Sequence, residues 1–93
     1  MRTIEWTTQF KRDYKRESKG QHQATLDTDL LPVFNALANN QPLEQRHHDH
    51  ALTGNWKDHR DCHVKPDLLL IYNTSSPDTL QLVRLGSHSE LGL

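Results

Sequence analysis

The sequence has one cysteine, Cys62, and no long apolar run, and both scarcities narrow the kinds of protein it can encode. A lone cysteine excludes an internal disulfide and the cysteine-rich zinc motifs, so the expected compartment is the reducing cytosol. No apolar stretch reaches the roughly 18 residues that a membrane-spanning helix needs. The first ten residues also lack the apolar core of a signal peptide. We therefore expect a cytoplasmic protein with no membrane partner.

The chain is short, and its apolar residues are gathered in blocks. Its 93 residues are 33% apolar, which favours one folded domain spanning residues 1–93 over a disordered chain. The first half predicts a strand over 2–6, a helix capped by a threonine at 7–8, and a second helix over about 23–39. Pro32 lies inside the second helix, so this helix either kinks there or begins nearer Asp29.

The second half predicts mainly strands. Residues 43–50 are polar and predict a loop, and three strands follow over 60–65, 68–72 and 79–85. Residues 87–91 form a short tail or one helical turn. The predicted fold class is α+β, with the N-terminal strand and a helical hairpin packed on an antiparallel sheet in the order β-α-α-β-β-β.

Histidine is abundant, with seven in the chain and six of them after residue 46. Asp61 and His63 are two apart in a predicted strand, so their side chains share a face, and Asp67 follows the next turn. His50 follows an aspartate in the loop. A carboxylate beside an imidazole prepares it for proton transfer at neutral pH, although the same pattern also fits an ordinary polar face of a sheet.

Other residues suit contacts to RNA. Arg84 and His88 end the last strand, where the guanidinium suits a phosphate or a surface salt bridge. Lys65 shares the predicted face of Asp61 and His63. Trp56 and Lys57 can stack on a base and hold a phosphate, or the tryptophan can anchor its turn against the core. A basic cluster, either an RNA-binding or a merely solvated helix face, comprises Lys11, Arg12, Lys15, Arg16 and Lys19.

A metal site is the sharpest alternative, because His47, His48, Asp49 and His50 supply potential ligands in a row. Adjacent side chains in one loop rarely all point inward, and the wider spacing matches no zinc motif, so we expect no metal cofactor. Cys62 is a poor nucleophile, because its place in the alternating strand turns it toward the core.

Three sequence blocks resemble one known family. They are DHALTGNWK at 49–57, RDCHVKPDLLLIY at 60–72 and LGSHSEL at 85–91, and their order and separation are similar to those of the YafQ-type toxins. These toxins belong to the RelE/ParE superfamily of bacterial toxin–antitoxin systems. The resemblance, including the helical hairpin, covers nearly the whole chain.

The resemblance implies a compact RelE-like fold and an mRNA endonuclease that acts in the ribosomal A site and is silenced by a cognate antitoxin. The residues themselves support the hypothesis of metal-independent cleavage through the ribose 2′-OH, with two histidines as acid and base whose roles the sequence does not distinguish, and of ribosomal RNA contacts by the basic cluster. Carried over by matching positions, Arg84 binds the phosphate, and the active-site residues are His50, Asp61, His63, Asp67 and His88. Some toxins of this superfamily instead inhibit DNA gyrase without enzymatic activity, but they lack such a histidine–aspartate set.

Overall fold

The computed structural model describes residues 2–20, 22–74 and 76–93. In these ranges five strands form one sheet in the order β1-β5-β4-β3-β2. Single 3-10 turns lie at Gln45–His47 and Gly54–Trp56. The helices and strands are β1 Thr3–Trp6, α1 Thr8–Glu17, α2 Leu26–Ala38, β2 His50–Ala51, β3 Arg60–Lys65, β4 Leu68–Asn73, β5 Thr79–Gly86 and α3 His88–Leu91.

The α+β class and the antiparallel meander of β3, β4 and β5 are confirmed. The complete sheet is nevertheless mixed, because β1 pairs parallel with β5 at one edge. At the other edge, β2 pairs antiparallel with β3. The predicted loop over 43–50 is therefore wrong at residue 50, which lies in β2. Two residues of strand leave too little alternating pattern to be recognised from the sequence.

The two long helices begin where local chemistry allows. The Thr7 side chain caps α1 by accepting a hydrogen bond from the backbone N–H of Phe10. Helix α2 begins at Leu26 and carries Pro32 in its interior, so the alternative start near Asp29 is wrong. The residues of the predicted apolar stripe of α2 are buried in the core against the sheet, and they are Leu26, Leu30, Val33, Phe34 and Leu37.

The sheet has two differently covered faces. One face is covered by α1 and α2, and its core includes Phe10, Leu30 and Phe34 against the inward side chains of the strands. The other, which we call the open face, carries a smaller cluster of Leu69, Ile71 and Leu91, with Leu52, Trp56 and Val83 packed against it. β4 is the central strand, and its residues from Leu68 to Tyr72 are buried, as its uninterrupted apolar run predicts.

A β-bulge in β3 turns the side chain of Lys65 to the face opposite to the predicted one. His63 opposes Leu69 of the open face, whereas Lys65 opposes Leu68 of the helix-covered core, because the register shifts between His63 and Lys65. An extra residue in one strand reverses the alternation beyond it. The prediction that Lys65 shares a face with Asp61 and His63 is therefore wrong. No helix in the described part of the chain is long and apolar enough to cross a membrane.

Candidate functional site

Four histidines from three separate parts of the chain lie close together at the end of β3, on the open face. We call the group the histidine cluster, and it consists of His48, His50, His63 and His88 with the carboxylates of Asp61 and Asp67. Strand β3 supplies Asp61 and His63, which stand beside Ile71 and Leu69 of β4. The buried apolar side chains of β4 give the cluster a rigid floor.

His63 lies between two other imidazoles. Its ring centroid is 5.2 Å from that of His48 and 5.3 Å from that of His88. Partial burial lowers the pKa of His63 below the ordinary histidine value of 6.5, and repulsion from His88, His48 and His50 lowers it further, while Asp61 opposes both effects. At neutral pH this ring is therefore unprotonated and able to accept a proton.

His88 is positioned by the short helix α3 and by Asp67. Ser87 and Glu90 form a reciprocal capping box at the start of α3, and Leu91 is buried against the open face. The Asp67 carboxylate lies at the β3–β4 turn, where its Oδ1 accepts hydrogen bonds from the His88 backbone N–H at 3.2 Å and from Nδ1 at 2.8 Å. The hydrogen bonds from His88 lower the pKa of Asp67. With Nδ1 donating to a carboxylate, Nε2 of His88 is directed elsewhere.

His50 and Asp61 form a second imidazole–carboxylate pair. Strand β2 places His50 opposite Asp61, with Nε2 2.9 Å from Oδ1, and Nδ1 lies 2.9 Å from the carbonyl oxygen of His48. A carbonyl can only accept, so Nδ1 carries a proton. The approach at Nε2 is within ion-pair distance but is not aligned as a hydrogen bond, and Oδ1 of Asp61 is buried and accepts no hydrogen bond within the described residues. Burial raises the pKa of Asp61, and attraction by His50 and His63 partly offsets that rise.

Arg84 is engaged away from the imidazoles. Its Nε donates to Oδ2 of Asp13 at 2.7 Å, and Asp13 is buried, with only 1% of its surface exposed. The same carboxylate accepts from the backbone N–H of Leu85 and from Arg16. Arg84 does stand beside Ile71 on β5, in the cross-strand row of Asp61 and His50, but its guanidinium is not free for a phosphate as the structure stands.

The remaining predicted contact residues are dispersed. Lys65 forms an ion pair with Asp29 of α2, and Trp56 packs against the apolar cluster of the open face, which fits its alternative role as an anchor. Lys57 is exposed. On α1, Arg16 contacts Asp13, Glu17 and Glu90 and donates to the carbonyl of Leu85, so it serves the fold. The other four residues of the predicted basic cluster are exposed and are Lys11, Arg12, Lys15 and Lys19.

His48 is predicted from the sequence only as part of the metal alternative, whereas in the structure its ring lies beside that of His63. His48 is exposed and has a left-handed backbone, with φ 47° and ψ 46°. It lines a cleft of about 560 Å³ that His63 also lines. Other walls of this cleft are Arg46, His47 and Lys65. Nothing in the local sequence predicts a left-handed histidine, so only its proximity to His50 in the chain was a signal.

The loop at 47–50 does not converge on a metal. His47 is buried, His48 contacts His63, and His50 contacts Asp61. Asp49 accepts hydrogen bonds from Tyr72 and from Arg60. Across the described ranges, no three or more His, Cys, Asp or Glu side chains are grouped to hold a metal ion.

Cys62 faces the helix-covered core, as predicted, and burial raises the pKa of its thiol, so it is not a nucleophile at neutral pH. The histidine cluster contains imidazoles that can donate or accept a proton, and the ring centroids of neighbours in it are 5.2 and 5.3 Å apart. Such a set can move protons at two oxygens of one phosphodiester without a metal.

Comparison with known proteins identifies the family to which the chain belongs. The model of a family described as bacterial toxin of type II toxin–antitoxin system, YafQ, matches residues 2–92. The mRNA interferase toxin YafQ of Escherichia coli K12 is 34% identical over 90 residues, covering 97% of this chain and 95% of that protein.

Solved structures are similar over the same length. The toxin in a crystal structure of the E. coli DinJ–YafQ complex superposes with a TM-score of 0.84 at 36% identity, covering 98% of both chains. A copper-bound mutant toxin from Helicobacter pylori superposes with a TM-score of 0.85 at 38% identity, covering 98% of this chain and 99% of that one.

Proposed function

Because the chain belongs to the YafQ family of bacterial type II toxin–antitoxin toxins, we propose that it is an mRNA interferase that cleaves RNA by metal-independent acid–base chemistry. The family assignment supports the toxin role and the endoribonuclease class. The chemistry is an inference from the histidine cluster. Ribosome dependence is a further part of the proposal.

The observation that carries the proposal is the contact between His63 and His88. These imidazoles come from different elements, their ring centroids are 5.3 Å apart, and Asp67 fixes the orientation of one of them. Cleavage through the 2′-OH needs a base that takes the hydroxyl proton and an acid that protonates the leaving 5′-oxygen. Two rings separated by this distance can reach both oxygens of one phosphodiester.

The environments of the rings suggest which is the base and which the acid. We assign the base to His63, because its lowered pKa leaves it unprotonated at neutral pH. We assign the acid to His88, because Asp67 accepts its Nδ1–H and so fixes the orientation of the ring beside His63. The 2′-oxygen forms a bond to phosphorus as the bond from phosphorus to the 5′-oxygen breaks. His63 takes up the proton of the 2′-hydroxyl, and His88 gives a proton to the leaving 5′-oxygen.

The developing charge on the phosphorane needs a cation. When it is protonated, His50 can supply this cation beside His63, and Arg84 becomes a second candidate if RNA displaces its contact with Asp13. The proposed active-site residues are therefore His50, Asp61, His63, Asp67 and His88. Arg84 would join them only after releasing Asp13.

A partner antitoxin is part of the same proposal. The E. coli relative is crystallised as a DinJ–YafQ complex, and family membership places this chain in a two-component system. We propose that a cognate antitoxin binds this chain and suppresses its activity.

The activity is tested with purified protein and a defined mRNA, with and without ribosomes, with and without EDTA, and with primer extension to map the cuts. We expect cuts that persist in EDTA and that become at least about tenfold more frequent when the mRNA occupies ribosomes, because positioning supplies much of the rate. Loss of cutting in EDTA, restored by copper or zinc, would favour metal-dependent chemistry, which the copper-bound H. pylori neighbour makes worth testing.

The basic face of α1 gives a separate prediction. Changing Lys11, Lys15 and Lys19 together to glutamine is expected to weaken ribosome binding by about tenfold or more at low salt and to reduce its salt dependence, because each lost phosphate contact lowers the salt slope. Sedimentation with ribosomes at several salt concentrations measures this. An unchanged salt slope would contradict the role, and the triple variant should cleave a short free RNA at the same rate as the unmodified protein.

A further inference from the structure

His48 touches two of the three proposed catalytic imidazoles. Its carbonyl oxygen lies 2.9 Å from Nδ1 of His50, and its ring lies 5.2 Å from the ring of His63. The left-handed backbone at His48 follows the 3-10 turn of Gln45–His47 and turns the chain into β2. Histidine, asparagine and aspartate are the residues other than glycine that adopt this conformation most often, so the position accepts a histidine.

We propose that His48 is a positioning residue of the RNA-cleaving site, which holds a second imidazole against the ring of His63 and so sets the pH range over which His63 can act as the base. The effect of this residue on RNA cleavage rests on the proposed function, whereas its effect on the protonation of His63 can be measured without RNA. His48 does not itself touch the reacting atoms in this assignment.

The charges around His63 show how the residue acts. Asp61 on the same strand attracts a proton to His63, whereas His50 from β2, His88 from α3 and His48 from the preceding loop repel one when they are charged. Asp67 is paired with His88, and Lys65, two residues further along β3, is paired with Asp29. Burial of His63 is the largest cause of its lowered pKa, and His48 adds to it.

The His48 side chain is exposed to solvent. The ring borders the cleft of about 560 Å³, so water reaches it. Histidine is the side chain that gains its charge near neutral pH, and a charged ring at this position opposes protonation of the neighbouring His63. The cluster therefore retains an unprotonated base to lower pH than an isolated imidazole in the same place would.

Three variants test this coupling. His48→Asn removes the charge and tolerates the left-handed backbone, His48→Lys makes the charge permanent, and His59→Gln changes a histidine outside the cluster. The protonation of His63 is followed by NMR titration of the protein alone, and RNA cleavage is measured between pH 5.5 and 8.5. The titration does not depend on RNA.

We expect the midpoint of the His63 titration to move to higher pH in His48→Asn. In His48→Lys the midpoint should not rise, and in His59→Gln it should be unchanged. Cleavage by His48→Asn should fall about threefold at pH 6 and less than about 1.5-fold at pH 8, because only protonation of the base is altered.

An unchanged or lowered His63 titration in His48→Asn would overturn the inference. A loss of cleavage that is equal at every pH would also overturn it, since that pattern is what a purely structural role produces. If the titration moves as expected but the unmodified protein cuts no RNA under any condition, the proposed function fails and the electrostatic coupling stands.

Discussion

Replacing His88 by alanine is expected to lower the rate of RNA cleavage by about 10²–10⁴-fold, because one proton-transfer group typically contributes that much. The ring is the proposed acid, and it lies beside His63 with Asp67 fixing its orientation. His88→Gln should lose as much activity while keeping an N–H that can donate to Asp67. The measurement is single-turnover cleavage of a defined RNA at neutral pH.

The fold should survive both His88 substitutions. The ring is about half exposed, and the Asp67 carboxylate still accepts the backbone N–H of residue 88. Circular dichroism and thermal unfolding check this, and His59→Gln serves as the matched control, with near-normal cleavage expected. If either His88 variant cuts RNA at the normal rate, His88 is not the acid and the assignment of roles around His63 is wrong.

The largest effect on stability is expected from Asp13→Ala, which should lower the free energy of unfolding by about 3 kcal/mol. Asp13 is buried and accepts hydrogen bonds from Arg84, Arg16 and the backbone N–H of Leu85. Without the carboxylate, the partly buried guanidinium of Arg84 and the amide of Leu85 lose their partner. The value lies at the lower end of the usual range because Arg16 is 42% exposed.

Urea unfolding followed by tryptophan fluorescence measures this loss, and Asp78→Ala, at an exposed aspartate, is the control, with a change within about 0.5 kcal/mol. A loss for Asp13→Ala no greater than that of the control would show that the contacts of Asp13 with Arg84, Arg16 and Leu85 add no net stability.

Local patterns predicted the meander well because they reflect local geometry. The alternating residues at 60–65, the apolar run beginning at Leu68 and the turn residues between them lie where the strands are found. The same alternation correctly turned Cys62 toward the core and His63 toward the open face. The resemblance at His50, Asp61 and His88 likewise indicated residues that the fold brings together.

The errors come from contacts between distant parts of the chain. A bulge after His63 reverses the facing of Lys65, and no composition signal marks it. Arg84 pairs with Asp13, which lies 71 residues earlier, so its availability cannot be judged from its own neighbourhood. The entry of His48 into the cluster depends on a left-handed backbone and on the pairing of β2 with β3.

The contact between α1 and β5 also bears on self-association. Strand β1 pairs with β5 only as far as Leu82, and beyond that point Asp13 and Arg16 bind the N–H and the carbonyl of Leu85. Exposed backbone groups along a sheet edge invite pairing with a strand of another molecule. Here two charged side chains occupy those groups, so an incoming strand would have to break an ion-pair network before it could extend the sheet.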